Sequence, residues 1–297
     1  MAVFVLGAGG NVGSSTVKSF YATYGDKLKI FGGARDPEKA AKAAGFDSLA
    51  ASNVQFVKTD IRDKGQLIEA FQGVKSLFIV TPEHENRAEL AINAAEAAKA
   101  AQVDHVIILS IPTSVLPNTI LGRQFGAIER AVETLGISHT ILRLPVFIDN
   151  TWYQKNRIQN EGVLRSPGSA DIRFATVVVA DVAKAAATIL AHPSDHAGKI
   201  YTLVSDRHSH NELAAAFSSA LGKDVKYVRS EYETARDAFL RVGFEKWQVD
   251  SMLELYELLD RGELDAYEVD TGDYETITGE KPTSMKTWVD QVAPAFK

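Results

Sequence analysis

Short apolar runs alternate with longer amphipathic segments along the first two thirds of the chain. The first run is Ala2–Leu6, and residues Val12 to Tyr24 then carry apolar side chains at helical spacing. Short apolar runs predict strands that are buried on both faces of a parallel sheet, and the amphipathic segments predict the helices that connect them. The other predicted strands are Lys27–Ala34, Val54–Thr59, Ser76–Val80, Val103–Leu109, Ser138–Leu144 and Lys199–Leu203. The pattern predicts an α/β fold with a Rossmann-type, doubly wound parallel sheet.

The alternation becomes weaker after residue 148. Residues 177–190 predict a helix that begins near Asp181, whose carboxylate is well placed to cap it. Residues 209–297 predict mainly helices, and the segment 245–275 holds eleven acidic residues against Lys246 and Arg261. Apolar residues at helical spacing in that segment predict an amphipathic helix with a solvated acidic face.

A cluster of glycines lies between the first predicted strand and the first predicted helix. It includes Gly9 but does not fit G-x-G-x-x-G, because Val12 stands at the last position; it fits G-x-x-G-x-x-G with Gly7, Gly10 and Gly13. Missing side chains let a pyrophosphate approach the backbone, and the helix N-terminus attracts its charge. A tight turn also requires glycine without any ligand. The position in the first βα unit of an alternating chain favours dinucleotide binding.

The end of the second predicted strand indicates which dinucleotide is bound. An acidic residue that accepts hydrogen bonds from an NAD ribose is usual there, whereas this chain has Gly32, Gly33 and Ala34, followed by Arg35. An arginine can pair with a ribose 2′-phosphate and stack on adenine, so the sequence favours NADP(H) over NAD(H). The alternative is a surface arginine that precedes the helix cap Asp36.

Further candidates lie at the ends of the third and fourth predicted strands. Asp60 can accept a hydrogen bond from the adenine amino group, although a simple turn residue explains it as well. Asp63 is typical of a helix N-cap. Thr81 and Pro82 form a rigid loop that would cross the cofactor at the carboxyl edge of the sheet.

Ser110 lies at the end of the fifth predicted strand. In short-chain dehydrogenases a serine at this place hydrogen-bonds the substrate carbonyl, and a later Tyr-x-x-x-Lys pair supplies the proton. No tyrosine and no lysine stands between Ser110 and the next predicted strand. Arg123 is the one well-placed cation, and a solvated side chain explains it better. Ser110 is therefore a catalytic candidate without its usual partners.

The segment 148–175 carries Trp152, Tyr153 and a Ser-Pro-Gly turn. Aromatic excursions of this kind build substrate pockets beside a nicotinamide, which makes both residues candidates for substrate binding and Tyr153 a catalytic candidate. An aromatic helix that serves only for packing explains the same residues equally well.

Composition and charge exclude several classes of function. The net charge is -6 without a basic patch, which argues against nucleic acid and anionic membranes as partners. No apolar run approaches the ~20 residues that a membrane span needs. The absence of cysteine excludes disulfides and thiolate catalysis, and His208 and His210 have no further local ligands, so no metal is expected. Because the chain begins directly with a strand, we expect no signal peptide and a location in the cytosol.

With these residues in view, the chain resembles the NmrA-like, atypical branch of the short-chain dehydrogenase/reductase superfamily over nearly its whole length. Several segments in the same order carry the likeness: GAGGNVG, ARDPEKA, TDIRD, IVTP, IERAVETLGISHTILRLPVFIDN, VVVADVAKA and GDYETITGEKPTSMKTWV. The last is similar to the C-terminal part of triphenylmethane reductases and of the smaller quinone reductases of this branch.

The resemblance implies a Rossmann domain at residues 1–150 and a smaller, mainly helical α/β substrate region at residues 151–297, interleaved with the Rossmann sheet, with NADP(H) between them. It places the 2′-phosphate on Arg35 and the adenine on Asp60 and Ile61. The residues that it places at the pyrophosphate turn are Gly7, Gly9, Gly10, Asn11, Val12 and Gly13. Those that it places along the cofactor or beside the nicotinamide are Val80, Thr81, Pro82, Ser110, Pro145, Val146 and Phe147.

One departure from the family pattern concerns the proton. Many members carry a lysine, or a His-Lys/Arg pair, just before the helix glutamate that corresponds to Glu129. Phe125 and Gly126 stand there in this chain, which argues against a lysine-assisted proton transfer.

Two functions follow from these observations. The first is an NADP(H)-dependent reductase that transfers hydride to a small quinone, dye, imine or enone, because delocalised acceptors need no strong enzymic acid. The second is a non-catalytic NADP(H) sensor of the NmrA type, in which the acidic segment would bind a partner. The aromatic segment favours the reductase. The expected partners are the acceptor and a second copy of the chain or, for a sensor, another protein.

Overall fold

The computed structural model describes residues 2–25, 27–47, 50–51 and 53–297. Its strands are β1 (Ala2–Leu6), β2 (Lys29–Ala34), β3 (Ala50–Ala51), β4 (Val54–Lys58), β5 (Ser76–Ile79), β6 (His105–Ser110), β7 (His139–Arg143), β8 (Val146–Phe147), β9 (Val163–Ser166), β10 (Phe174–Val177), β11 (Lys199–Thr202), β12 (Asp206–His208) and β13 (Lys226–Arg229). Its α-helices are α1 (Asn11–Tyr24), α2 (Pro37–Ala43), α3 (Lys64–Ala70), α4 (Arg87–Ala100), α5 (Ile120–Leu135), α6 (Lys155–Glu161), α7 (Val179–Ala191), α8 (His210–Leu221), α9 (Tyr232–Arg241), α10 (Lys246–Asp260), α11 (Asp273–Thr278) and α12 (Met285–Val292). Short 3₁₀ segments cover Pro112–Val115, Ile148–Gln154, Pro193–His196, Glu263–Ala266 and Ala293–Phe296.

The main sheet has the strand order β11-β7-β6-β5-β1-β2-β4-β3. The strands are parallel except β3, which pairs antiparallel with β4 at the edge. The chain builds the sheet from β1 outward to β4 and then continues on the other side with β5. The strand order therefore reverses between β1 and β5, which is the doubly wound Rossmann arrangement, and the fold predicted from the sequence is confirmed.

Strand β1 is buried on both faces, as its apolar run predicts. Val3 and Val5 belong to one hydrophobic cluster, and Phe4 and Leu6 belong to the other. The first cluster includes residues of α1, α2 and α7, and the second includes residues of α3, α4 and α5. Helices therefore cover both faces of the sheet, and the loops at its carboxyl edge remain for ligands.

The remaining strands form two small sheets. In one, β10 lies between β8 and β12, and in the other β9 pairs with β13. Strand β8 begins three residues after the end of β7, so the first small sheet continues from the carboxyl edge of the main sheet. The chain later returns to the main sheet through β11, which pairs with β7.

The start of α7 corrects one prediction. The N–H group of Val179 donates to Oδ2 of Asp149 at 2.9 Å. Asp181 instead accepts hydrogen bonds from Ser205 and from Thr283, which lies 102 residues further along the chain. The prediction that Asp181 caps the helix is wrong, because its carboxylate joins α7 to the C-terminal segment.

The acidic segment 245–275 corrects another prediction. Helix α10 ends at Asp260, and Gly262 has a left-handed φ of 69° that interrupts the helical run. Carboxylates of this segment are also used inside the molecule, since Glu254 accepts from the N-terminus of α5 and Asp260 from the N–H of Ser169. The predicted amphipathic helix is present as α10, with Val249 and Leu253 buried, but the prediction that its acidic face is wholly solvated is wrong.

Glu268 is a buried carboxyl group in this segment. Only 2% of its surface is exposed, and its Oε2 accepts a hydrogen bond of 3.2 Å from the N–H of Ala175. Burial disfavours the charged form and raises the pKa of Glu268 to about 7, against an ordinary value of 4.5. The folded protein therefore retains a proton at pH values where the unfolded chain has released it.

We expect Glu268→Gln to stabilise the protein at about pH 8 and to change its stability little at about pH 5. Because the pKa is higher in the folded state, the wild-type free energy of unfolding falls as the pH rises from 4.5 to about 7, by up to ~3 kcal/mol. The neutral amide has no such titration. Melting curves of the wild type, Glu268→Gln and the exposed control Glu263→Gln measure the difference, and parallel pH profiles for all three would contradict the prediction.

Candidate functional site

The carboxyl ends of β1, β2 and β5 meet where the strand order reverses. Leu6 pairs with Gly33 of β2 and with Ile79 of β5, so the three strands end at the same level. The N–H groups of Gly7 and Ala8 both donate to the carbonyl oxygen of Gly33 at 3.0 Å. A crevice at this place in an open α/β sheet is where ligands bind.

Sterics require glycine at both ends of the turn that follows β1. Gly7 has a φ of 87°, and a Cβ there would lie 2.4 Å from the carbonyl oxygen of Val80. A Cβ on Gly13 would lie 2.2 Å from the carbonyl oxygen of Gly7. Gly9 and Gly10 are exposed between these ends. The middle of the turn is therefore bare backbone that a ligand can approach.

Free N–H groups suit the turn after β1 to an anion. Gly10 is the N-cap of α1 without a side-chain cap, and the first turn of α1 contains no acidic residue. Among the hydrogen bonds of the described residues, none is donated by the N–H groups of Gly9, Asn11, Val12 or Gly13. Together with the positive end of the helix dipole, these groups fit the pyrophosphate of a dinucleotide.

Arg35 and Asp60 are neighbours at the ends of β2 and β4. Arg35 is exposed and has no ion pair within the described part of the chain. Asp60 is bound by Arg62, whose Nε donates to it at 2.9 Å. Hydrogen bonds from the side chain and backbone of Arg62 lower the pKa of Asp60 to about 2, and the charge of Arg35 adds to the effect. Asp60 is thus ionised and committed to Arg62, whereas Arg35 is free for a phosphate.

Hydrogen bonds fix the loops that follow β4 and β5. The carbonyl oxygen of Ile61 accepts from Asn93 of α4 at 2.7 Å, and the N–H of Val80 donates to the end of β1 at 3.1 Å. Thr81 is half-buried and Pro82 is exposed. The loop after β5 therefore borders the crevice directly beside the glycine turn.

Ser110 is fully buried at the end of β6. Its hydroxyl donates to Glu129 of α5 at 2.5 Å, and Arg143 at the end of β7 donates two hydrogen bonds to the same carboxylate. Burial raises the pKa of Glu129, but the hydrogen bonds from Arg143 and Ser110 outweigh burial and lower it. Glu129 is therefore an anion at neutral pH, and the Ser110 hydroxyl is held by it. Nothing in the local sequence around Ser110 indicates this network.

Helix α5 has glycines where the 3₁₀ segment Pro112–Val115 packs on it. A Cβ on Gly126 would lie 2.5 Å from the carbonyl oxygen of Ser114, and one on Gly122 would lie 2.0 Å from the backbone of the preceding loop. The neighbouring Phe125 is buried in the core. Close packing of backbone on backbone gives a physical reason for the absence of a lysine at residues 125–126.

The aromatic candidates lie on the 3₁₀ segment that follows β8. Pro145 is buried just before β8. The ring of Trp152 packs against that of Phe296 near the C-terminus, with centroids 4.7 Å apart. Tyr153 is 81% exposed. The Trp152 ring is thus packed on Phe296 but still 39% exposed, and Tyr153 faces solvent.

His208 and His210 take part in internal contacts. Nε2 of His210 lies 3.1 Å from Oγ of Ser166, and Nδ1 of His208 lies 3.2 Å from the carbonyl oxygen of Ser209. Burial lowers the pKa of both imidazoles. Within the described ranges, no group of three side chains is arranged to hold a metal ion. In the same ranges, no helix combines the length and apolar character that crossing a membrane requires.

Comparison with known sequences gives a consistent picture. The model of the NmrA-like family matches residues 1–288. An NAD(P)H azoreductase of Xenophilus azovorans is 28% identical over 260 residues, which cover 86% of each chain. Quinone oxidoreductase 2 of Escherichia coli (strain K12) is 28% identical over 239 residues, which cover 76% of each chain.

Solved structures share the fold over the full length of the chain. An NADPH-dependent quinone oxidoreductase of Escherichia coli, complexed with NADPH, has a TM-score of 0.83 and 26% identity, over 98% of this chain and 99% of that chain. The triphenylmethane reductase of Citrobacter sp. has a TM-score of 0.82 and 23% identity, over 99% of this chain and 100% of that chain. The second similarity shows the fold alone.

Proposed function

The chain belongs to the NmrA-like family, and from this premise we propose that it is an NADP(H)-dependent reductase that transfers hydride to a small conjugated acceptor. Two relatives named as an NAD(P)H azoreductase and a quinone oxidoreductase support an oxidoreductase activity. The acceptors in question are quinones, dyes, imines and enones, whose delocalised π systems take up hydride without a strong acid.

The observation that carries this proposal is that the glycine turn and Arg35 lie at the carboxyl ends of the paired strands β1 and β2. The turn offers free N–H groups to a pyrophosphate at the end of β1, and Arg35 offers an unpaired guanidinium at the end of the neighbouring β2. The last residues of β2 are Gly33 and Ala34, so a free ribose hydroxyl would lack its usual acidic acceptor. NADP(H) is therefore the cofactor, and a solved structure of the same fold contains NADPH.

Hydride transfer to a conjugated acceptor suits a site without a strong acid. When bound, NADPH supplies the hydride. Glu129 remains ionised and holds the hydroxyl of Ser110, so these residues fix the end of β6 and do not deliver a proton. Residues 1–150 bind the cofactor, and residues 151–297, with Trp152 and Tyr153 as candidates, shape the acceptor side. Water supplies the proton.

The test is the absorbance of reduced nicotinamide with NADPH or NADH and a set of acceptors: menadione, a triarylmethane dye, an imine and an enone. We expect oxidation of NADPH that depends on the acceptor, and slower oxidation of NADH. Tight binding of NADPH with every acceptor inert would contradict the reductase.

One observation favours a second function, the non-catalytic NADP(H) sensor. Ser110, the serine at the place of catalysis, is committed to Glu129, and α5 carries no Tyr-x-x-x-Lys pair. In a sensor, cofactor occupancy shifts a conformational equilibrium and thereby the binding of a second copy or of another protein. Sedimentation with and without NADP(H) tests this function: a cofactor-dependent change in association supports it, and identical behaviour excludes a sensor that acts through self-association.

A further inference from the structure

Arg87 is a buried arginine at the carboxyl edge of the main sheet. It is the first residue of α4, and only 8% of its surface is exposed. Its Nε donates to the carbonyl oxygen of Pro82 at 3.3 Å, and its guanidinium carbon lies 4.7 Å from the centroid of the Phe125 ring. The side chain therefore reaches from α4 past the loop after β5 to α5.

Among the described residues, no carboxylate forms an ion pair with this guanidinium. Arg62 and Arg143, at the same edge, each form an ion pair with an acidic neighbour. Arg87 has no ion pair within the described ranges, and its side chain donates one hydrogen bond there, from Nε to Pro82. Burial lowers the pKa of Arg87 and outweighs the more distant charge of Glu83. The rest of its fork of N–H groups is left without a protein acceptor.

The position of Arg87 along the edge indicates what it binds. No nitrogen of Arg87 is among the described, fully buried atoms that lack a hydrogen-bond partner, so its remaining N–H groups reach solvent and are accessible to a ligand. A mostly buried charge without a protein partner is costly, and such groups occur where a ligand completes them. Arg35, the other unpaired arginine of this edge, lies at the end of β2, where the adenine half of the cofactor is placed. Arg87 lies on the other side of β1, between the loop after β5 and α5. Arg87 therefore lies on the β5–β6 side of the point where the strand order reverses, opposite the side of Arg35.

We propose that Arg87 binds the carbonyl oxygen of the acceptor, which narrows the substrate class to quinones and enones. This inference rests on the proposed reductase function. With NADPH bound, hydride transfer would break the C4–H bond of the reduced nicotinamide and use its electron pair to form a C–H bond to the acceptor. A π electron pair of the acceptor would then move onto its carbonyl oxygen, so that the nicotinamide is oxidised and the acceptor reduced. The guanidinium donates to that oxyanion, and water then supplies its proton. A cationic triarylmethane dye is disfavoured by like charge.

Three variants test the proposal. Arg87→Met keeps an unbranched side chain, although a shorter one, and removes both the charge and the guanidinium that lies over Phe125. Arg87→Lys keeps the charge. Arg123→Met changes an exposed arginine of α5 and serves as the matched control. Equilibrium dialysis of the NADP⁺-saturated protein measures the binding of lawsone (2-hydroxy-1,4-naphthoquinone), an anion at neutral pH, and of the neutral naphthoquinone menadione.

We expect Arg87→Met to weaken lawsone binding by at least about 10-fold and menadione binding by less than about 3-fold. Arg87→Lys retains part of the lawsone affinity, and Arg123→Met retains all of it. With menadione as substrate, kcat falls about 10-fold in Arg87→Met while KM changes little, because the interaction strengthens as charge develops. The melting temperature stays equal or rises, since a neutral side chain replaces a buried, unpaired charge.

Equal lawsone affinity in the wild type and Arg87→Met would overturn the proposal. If Arg87→Met lowers the melting temperature and also weakens NADP⁺ binding, the proposal is likewise overturned. Arg87 would then only stabilise the loop that contains Pro82. If the wild type turns over no acceptor while Arg87→Met still loses lawsone selectively, the anion site stands and the reductase function fails. The two failures are therefore distinguishable.

Discussion

Gly13→Ala is expected to weaken NADPH binding by at least about 100-fold, equivalent to ~3 kcal/mol, and to lower the melting temperature. The added Cβ would lie 2.2 Å from the carbonyl oxygen of Gly7 and 2.9 Å from the Cα of Ala8. Both are backbone atoms, which cannot rotate away as a side chain does. Helix α1 must shift, and its N–H groups then move away from the pyrophosphate. Calorimetric titration with NADPH measures the loss.

Two further glycine-to-alanine variants separate the loss of NADPH binding from structural damage caused by an added methyl group. For Gly10→Ala, the carbonyl oxygen of Gly7 at 3.6 Å is the one atom near the new Cβ, and φ of -92° suits alanine. We expect an unchanged melting temperature but weaker NADPH binding, because the methyl group stands where the phosphate approaches. Gly65→Ala, on the exposed start of α3, should leave NADPH binding unchanged and the melting temperature equal or slightly higher, because alanine favours a helix over glycine. Wild-type affinity in Gly13→Ala would contradict the assignment of the pyrophosphate to this turn.

Arg35→Ser is expected to weaken NADPH binding by about 10- to 100-fold and to leave NADH binding within about 3-fold. The guanidinium is exposed at the end of β2 and has no ion pair within the described residues, so its loss removes a partner of the 2′-phosphate and frees no internal acid. The measured quantity is the ratio of the dissociation constants of NADPH and NADH.

Lys42→Ser is the matched control for Arg35→Ser. It makes the same change in net charge at an exposed position in the last turn of α2. Because a solvated charge further from the crevice is screened by salt, the ratio of the two dissociation constants should stay at its wild-type value. If Arg35→Ser leaves the ratio of the NADPH and NADH dissociation constants unchanged, Arg35 does not bind the 2′-phosphate.

Local sequence patterns correctly predicted strand β1 and the caps of two helices. The apolar run Ala2–Leu6 is a strand buried on both faces, and Asp36 and Asp63 cap the helices that they precede. These features depend on neighbours a few residues apart, so spacing alone reveals them. The glycine turn is partly of this kind: a side chain on Gly13 would meet Gly7, six residues earlier, whereas one on Gly7 would meet Val80 in the loop after β5.

Features that depend on distant residues were not predicted. Asp181 has the sequence position of a helix cap, yet its carboxylate bonds to Thr283. Asp149 caps that helix from another part of the chain. The apolar spacing in segment 245–275 predicted α10 but not its end at Asp260, beyond which the left-handed backbone of Gly262 interrupts the helical run. A sequence pattern contains only the order of the side chains along the chain, whereas tertiary contacts determine which groups each carboxylate binds.

The candidate site divides in the same way. Its phosphate-binding half is local in sequence, and the residues proposed for it lie together at the ends of β1, β2 and β5. The half proposed for the acceptor depends on pairs such as Ser110 with Glu129 and Arg87 with Phe125. These partners stand on different elements and share no motif. Sequence analysis therefore found the serine but neither its carboxylate partner nor the buried cation.

A single-turnover reaction tests the central claim most directly. The protein is loaded with NADPH, or with NADPH deuterated at C4 on one face, and mixed with excess menadione while the absorbance of reduced nicotinamide is recorded. We expect a loss of absorbance that requires menadione. The loss should be slower when deuterium occupies one of the two C4 faces of NADPH than when it occupies the other, because hydride transfer breaks the C4–H bond on a single face. Bound NADPH that keeps its absorbance with menadione, and with an enone in its place, would contradict a reductase of conjugated carbonyl compounds.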